Sequence, residues 1–262
     1  MKTLTSSDHN WHQNLISALV DLNVASHFFC DEHYSILIFK THRLAINLVS
    51  IDNDFTPQDL ICLQEKYQQE NINLVHLWED VWLSKPDQVL ARIRSLLGLN
   101  SKIHGRKTQI LKIDKPVADL VLNKNHLQGA VSSRYKLGLF DKDILVAVAT
   151  FSALRKMKHT ENYRSAELIR FAVKAGYSVS GGLSKLLQYF ARQYHPQDIM
   201  SYADRDWSNG NAYERLGFIR SGILTPQWFL LDQYGNRVLK KDKENTDHEV
   251  FNTGSIKYIL NF

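Results

Sequence analysis

The chain has 262 residues, with 32 Lys+Arg against 27 Asp+Glu, a net charge of +5 and a pI near 9.0. Hydrophobic residues at 44% and charged residues at 23% are the balance of a folded protein and exclude a disordered one. The longest uncharged apolar run, Ile144 to Leu154, has 11 residues, well short of the roughly 20 that a membrane-spanning helix needs.

The first ten residues lack the apolar stretch of a secretory signal. Cys30 and Cys62 can build neither a disulfide framework nor a zinc site. The expectation is a cytoplasmic protein with no membrane partner and no metal.

In chain order, Asn14 to Leu22 is apolar at helical spacing and predicts an amphipathic helix. Tyr34–Phe39 and Arg43–Val49 are β-rich runs that read as a hairpin across Lys40-Thr41-His42. Thr56 caps a helix from Pro57 to Glu70. Asn73 to Trp78 is a strand, and Ser84 caps a helix from Pro86 to Leu97 that Gly98 stops. The basic stretch Ser101–Lys115 reads as a connector.

Beyond it, Leu137–Phe140 and Ile144–Ser152 form a hairpin across Asp141-Lys-Asp, and Ala166–Val173 is a strand. A glycine-bearing loop, Gly176 to Gly182, leads into an amphipathic helix from Leu183 to Tyr194. Ile199–Ala203 is a strand, and a short helix from Asn211 closes at Gly217-Phe218. Late strands at Gln227–Leu231 and Ile256–Leu260 surround a charged loop, Lys240 to Asp247. The fold class is α/β (α+β), divided at residues 1–105 and 106–262.

Charge divides the chain too. Residues 1–110 carry 10 Lys+Arg and 12 Asp+Glu, a net of −2, while residues 111–262 carry 22 and 15, a net of +7. The excess points to an anionic partner, nucleic acid first, although +7 also serves as a solubility charge.

A strand ending in a glycine turn at a helix N-terminus presents free N–H groups and the positive end of the helix dipole, which suit phosphate. With the Asn-x-x-Tyr helix and Gly217-Phe218, residues 117–230 resemble the GNAT acyltransferases. The resemblance implies that Val179, Ser180, Gly181, Gly182, Leu183, Ser184 and Asn211 hold acetyl-CoA or another acyl donor. It also implies that Tyr213 protonates the departing thiolate. The family's Arg or Gln, followed by glycines three and five residues later, is met in no register here. Two glycines can also simply make a tight turn, and Tyr213 can simply pack its helix face.

The strings Asn125-His126-Leu127-Gln128-Gly129, Glu167-Leu-Ile-Arg170, Ser180-Gly-Gly-Leu-Ser-Lys185 and Ser201-Tyr-Ala-Asp204-Arg205-Asp-Trp207 resemble phage-encoded GNAT-like proteins and, more distantly, the Mom DNA-modification family. That resemblance implies a nucleic-acid substrate, DNA first. Asp204, Glu167 and His126 would orient or deprotonate the acceptor nitrogen, and Arg170, Lys185 and Arg205 would contact phosphate. Trp207 would stack a displaced base. A structural Glu167–Arg170 ion pair and a packing role for Trp207 are the plainer alternatives.

Residues 34–99 resemble the very-short-patch-repair-like branch of the PD-(D/E)xK nucleases, on the hairpin, Leu74–Trp82 and the helix to Leu99. The metal-binding acids of that family fall near Ser35 and at Asn47, so the domain is expected to be degenerate and inactive. Glu79 and Asp80 lie beyond a later strand and are not counted. Three readings remain: a transferase modifying nucleic acid, a non-catalytic nucleic-acid binder from a mobile-element endonuclease, and a GNAT enzyme for a small amine.

Overall fold

The structure, a computed structural model, describes residues 6–157, 162–240 and 249–262. Most of the charged loop after Lys240 therefore lies outside the described residues. The architecture is mixed α/β.

The chain opens with α1 (Ser6–Val20), β1 (His27–Cys30), β2 (Ser35–Phe39), β3 (Leu44–Val49), α2 (Pro57–Gln69) and β4 (Asn73–Trp78). Then come α3 (Glu79–Ser84), α4 (Pro86–Leu96), β5 (Ser101–His104), β6 (Gln109–Lys112) and α5 (Lys115–Asn125). The middle holds β7 (Tyr135–Asp141), β8 (Ile144–Phe151), β9 (Arg155–Lys156), β10 (Arg164–Val173), β11 (Tyr177–Ser180) and α6 (Gly182–Tyr194). The last stretch is β12 (Asp198–Asp204), α7 (Asn211–Glu214), β13 (Ile219–Leu224), β14 (Trp228–Leu231), β15 (Arg237–Leu239), β16 (Glu249–Phe251) and β17 (Ser255–Asn261).

Two units emerge, and neither is one continuous stretch. The first draws on 1–90, 203–210 and 223–256, the second on 91–202, 211–222 and 257–262. This grouping differs from a single cut after residue 105.

In the first unit, β1, β2 and β3 form an antiparallel meander, and β4 runs parallel to β3. Thr56 and Asp59 build a reciprocal capping box, so α2 starts where its proline needs no N–H partner. Leu63 of α2 packs on Ile36, Ala45 and Leu74. Strands β15, β14 and β16 form a second sheet, whose Val250 and Phe251 bury against Val49, Leu60 and Trp78. Burying each such side chain stabilises by about 1.5–3 kcal/mol.

Two local expectations are corrected here. Ser84 does not cap α4: it ends α3, an element the sequence reading lacked, and its hydroxyl donates to Asp80 O at 2.6 Å. The stretch 101–115 is no plain connector, because it forms β5 and β6.

In the second unit the sheet order is β13-β17-β12-β10-β8-β7-β6, with β9 on β10. Asp114 caps α5 by accepting from Val117 N, and Ala118 and Leu122 seat that helix on Val148 and Ala172. Phe190 of α6 stacks on Phe151 with ring centroids 4.0 Å apart. Segment 177–180, read from sequence as loop, is a strand paired in parallel with β5.

Candidate active site

The parallel pairing of β10 with β12 lasts only from Ser165–Glu167 against Asp198–Met200. From Leu168 onward β10 pairs with β8, with a bulge between Leu168 and Arg170. The two parallel strands therefore part at Leu168 and Ser201. A bulge at such a point leaves backbone groups unpaired and re-aims side chains.

Ser201, buried on an inward position of β12, fills that point. Its hydroxyl donates to Leu168 O at 3.0 Å and lies 3.0 Å from the Tyr213 hydroxyl. Serine has one proton, and Leu168 O takes it. The Tyr213 O–H therefore donates to Ser201 Oγ.

Tyr213 stacks on Tyr258 at 5.3 Å and meets Phe218 edge-on at 5.2 Å. Burial pushes its phenol above the usual 10, while a Ser201 hydroxyl able to bond the phenolate and the charges of Arg92 and Arg170 pull the other way. Tyr213 is thus protonated at neutral pH and able to give a proton. Tyr258 donates to Glu214 at 3.0 Å and, through burial and that bond, is pushed up to about 12.

The second element is the opening of α6. Gly181 stands at the N-cap with φ of 72°, and no side chain caps the helix. Its pro-Cβ side faces open space, whereas a Cβ on Gly182 would come 2.8 Å from Val179 Cγ1. The first N–H groups of α6, from Gly182 through Ser184, are uncapped donors beside the positive end of the dipole. N–H donors of this kind are what an anionic phosphate takes. Leu183 and Ser184 lie in the first turn of α6, and Val179 and Ser180 end β11.

Lys185, expected to contact nucleic-acid phosphate, is used differently. Its ammonium donates to Gly105 O at 3.0 Å and to Thr108 O. It thereby holds the 3-10 turn Gly105–Lys107 on the glycine turn, where a Cβ on Gly105 would lie 2.9 Å from Ser180 O. These carbonyls take two of its three N–H donors.

The other assignments fall out unevenly. The Arg170 guanidinium donates to Gly129 O at 3.2 Å and Ile169 O at 2.9 Å, which takes two of its five N–H donors. Glu167 pairs with Arg155 at 3.5 Å. His126 Nδ1 accepts from Gln128 N in a tight turn after α5, and Asn211 opens α7. Asp204, Arg205 and Trp207 belong to the first unit, and Tyr213 to the second. Asp204 accepts from Asp206 N at 3.1 Å. Arg205 is held through its backbone by Gly254 O and Gln64. Trp207 is only 7% exposed, a burial in keeping with the packing alternative.

The first unit places Ser35 and Asn47 where they cannot form one acid site. Asn47 lies opposite Ile36, so Ser35, the next residue along β2, points to the other face. Asn47 is fully buried and donates to His76 Nδ1 at 3.2 Å, while His76 Nε2–H donates to Leu60 O at 3.1 Å. Burial drops the His76 pKa to about 3, so the imidazole is neutral.

Asp80, dismissed in the sequence reading, makes a bidentate pair with Arg237 at 2.7 and 2.9 Å. Nearby, Asp206 accepts from Thr253 N and Oγ1. Burial and the neighbouring Asp204 raise its carboxyl to about 7 against the Thr253 donors and Arg237. Among the described residues no three His, Cys, Asp or Glu side chains could hold a metal ion. No described helix is long and apolar enough to cross a membrane.

Ser201 and Asp206 are the residues that sequence reasoning missed. Ser201 had one signal, a hydroxyl at an inward position between Ile199 and Ala203. Asp206 had none, because its burial depends on Thr253, 47 residues away.

No protein-family model matches the sequence, and no curated protein matches it. Among solved structures, the chain is similar to the NatC complex bound to Gag peptide and CoA, at 13% identity and a TM-score of 0.38. It is similar to a Bacillus subtilis acetyltransferase in complex with CoA at 14% identity and a TM-score of 0.39. A GNAT family acetyltransferase from Elizabethkingia anophelis with acetyl-CoA bound gives 11% identity and a TM-score of 0.39. Each likeness covers 60% of this chain and 99% of the other.

Proposed function

We propose that the protein is an acyltransferase that takes an acyl group from acetyl-CoA or another acyl-CoA and delivers it to an amino group of nucleic acid, DNA first. The observation that carries this reading is the presence of two features in the second unit. An uncapped, glycine-opened helix suits a phosphate-bearing donor, and a protonated phenol stands where two parallel strands part.

The N–H groups of Gly181 through Ser184 would hold the donor's phosphates. A thioester donor supplies an activated acyl carbon and a thiolate leaving group. Tyr213 gives its proton to the departing sulfur, a general-acid step that contributes about 10²–10⁴-fold. Glu167, half-buried on β10 one residue before the parting, is placed to orient the attacking amine.

The nucleic-acid acceptor rests on the +7 charge of residues 111–262 and on an exposed basic strip. Lys102, His104, Arg106, Lys107 and Lys112 are exposed, and the strip adjoins the glycine turn through Gly105. Such cations displace counterions from a phosphate backbone. A nuclease-derived accessory role for the N-terminal region is supported by its meander with a parallel fourth strand. Its inactivity is supported by the buried, neutral Asn47 and His76.

The test has two arms. Thermal-shift titration with acyl-CoA compounds reads donor binding. Mass spectrometry of nucleosides, from cells with and without the protein, reads the acceptor: a new acylated base supports nucleic acid, and its absence with intact donor binding points to another amine.

A further inference from the structure

Ser201 sits between two groups that the proposed chemistry treats separately, the backbone at the bulge and the phenol. Its proton goes to Leu168 O, and its oxygen accepts from Tyr213. Tyr213 is thus parked with its proton aimed at serine rather than at a donor. For the phenol to act, that proton must turn away, and the oxygen then needs a new partner. Ser201 is a single rotation from supplying one.

We infer that Ser201 is the positioning residue of Tyr213: it fixes the phenol where β10 and β12 part and, when Tyr213 gives up its proton, swings its own O–H from Leu168 O onto the phenolate. This rests on the acyltransferase reading for its catalytic meaning, although the coupling itself does not. The proton count closes. The N–C bond to the acceptor amine forms, the thioester C–S bond breaks, and the sulfur takes the Tyr213 proton. The amine's proton goes to solvent, and solvent reprotonates Tyr213. Ser201 keeps its proton throughout and changes only where it points.

The surroundings of the phenol agree with this role. Arg92 from α4 and Arg170 from β10 place positive charge where a phenolate would form. Tyr258 of β17 stacks against the ring with its hydroxyl turned to Glu214, and Phe218 closes the edge. Among the groups described around Tyr213, Ser201 is the one hydrogen-bonded to its oxygen. Leu168 O can spare the serine, since carbonyls at a bulge are weakly committed and water can replace a hydroxyl there.

The test uses the full chain with a fluorinated tyrosine built in at position 213 alone. Its fluorine resonance reports ionisation, and fluorine brings the titration into a pH range the fold tolerates. A hydrogen bond to a charged group is worth about 1.5–3 kcal/mol, so Ser201→Ala should raise the midpoint by about one to two pH units, and Ser201→Thr should restore it. Should Ser201→Ala fail to fold, Ser201→Cys, of similar size and a poor donor, should give the same upward shift. An unmoved midpoint in the alanine or cysteine variant overturns the inference. In turnover, Ser201→Ala should lower kcat about ten- to a hundredfold with donor KM unchanged, and should cost nothing further in a Tyr213→Phe background. A full additional loss there also overturns it. If no acyl-CoA binds, the acyltransferase reading fails on that ground, and the titration still decides the Ser201–Tyr213 coupling.

Discussion

The two units each bury a polar pair on a sheet, and the pairs are built to opposite ends. In the first, both nitrogens of His76 are taken: one accepts from Asn47, the other donates to Leu60 O, and the ring stays neutral. In the second, Ser201 and Tyr213 form a chain of two hydroxyls, each able to turn. The imidazole is sealed by its partners, and the phenol still has a proton to give. Burial of a titratable group does not by itself make a site. A site also needs a protonation change that the surrounding bonds can follow.

Substitutions can break this comparison, beginning with the largest effect. Tyr213→Phe should lower turnover by about 10²–10⁴-fold while leaving the melting temperature nearly unchanged, read by steady-state kinetics beside thermal unfolding. An equal loss of stability would make Tyr213 a packing residue.

The opposite outcome is expected at Asn47. Asn47→Asp should destabilise the fold by about 3 kcal/mol in denaturant titration, since it puts a carboxylate at a fully buried position. It should create no metal-dependent nicking of plasmid, because Ser35 faces the other side of the sheet. Nicking by this variant would show that the acid positions were misread.

Asp206 sharpens the comparison through pH. Its carboxyl is raised from 3.8 to about 7, so the folded chain keeps a proton that the unfolded chain has already lost. Stability should therefore fall as pH rises from about 4 to about 7 and level off above, by a few kcal/mol at most. Asp206→Asn keeps the acceptor for Thr253 and should flatten that slope in melts across the range.

The smallest effect belongs to Lys185. Lys185→Met leaves the carbonyls of Gly105 and Thr108 without their cation and loosens the basic turn on the glycine cradle. Donor Kd should rise about fivefold with kcat preserved, which calorimetry and kinetics separate.

What the sequence disclosed follows from how local each signal is. The cap at Thr56, the β2–β3 hairpin and the amphipathic α6 each depend on residues within a few positions, and the structure has them. The parallel pairing of β5 with β11 joins segments some 76 residues apart, as between Ser101 and Tyr177, and no local pattern marks it. The sheet of β14, β15 and β16 is likewise set by packing on Trp78 and Leu60 rather than by its own periodicity. At the site, the motif around Tyr213 was legible. Its partner was not, because the role of Ser201 appears only once β12 lies beside Leu168. Lys185 and Trp207 share one difficulty: residue type suggests a ligand contact, and only tertiary structure shows which donors are engaged and how deeply the ring is buried.

The account turns on the uncapped opening of α6. Thermal-shift titration of the full chain with acetyl-CoA, run beside Gly181→Val, tests it most directly. A saturable rise in melting temperature is expected for the wild type, equivalent to about 2.7 kcal/mol at a hundred times Kd, with a much weaker response in the variant, whose branched side chain would close the open face of Gly181. No stabilisation of the wild type by any acyl-CoA, or an equal response from Gly181→Val, would contradict the account.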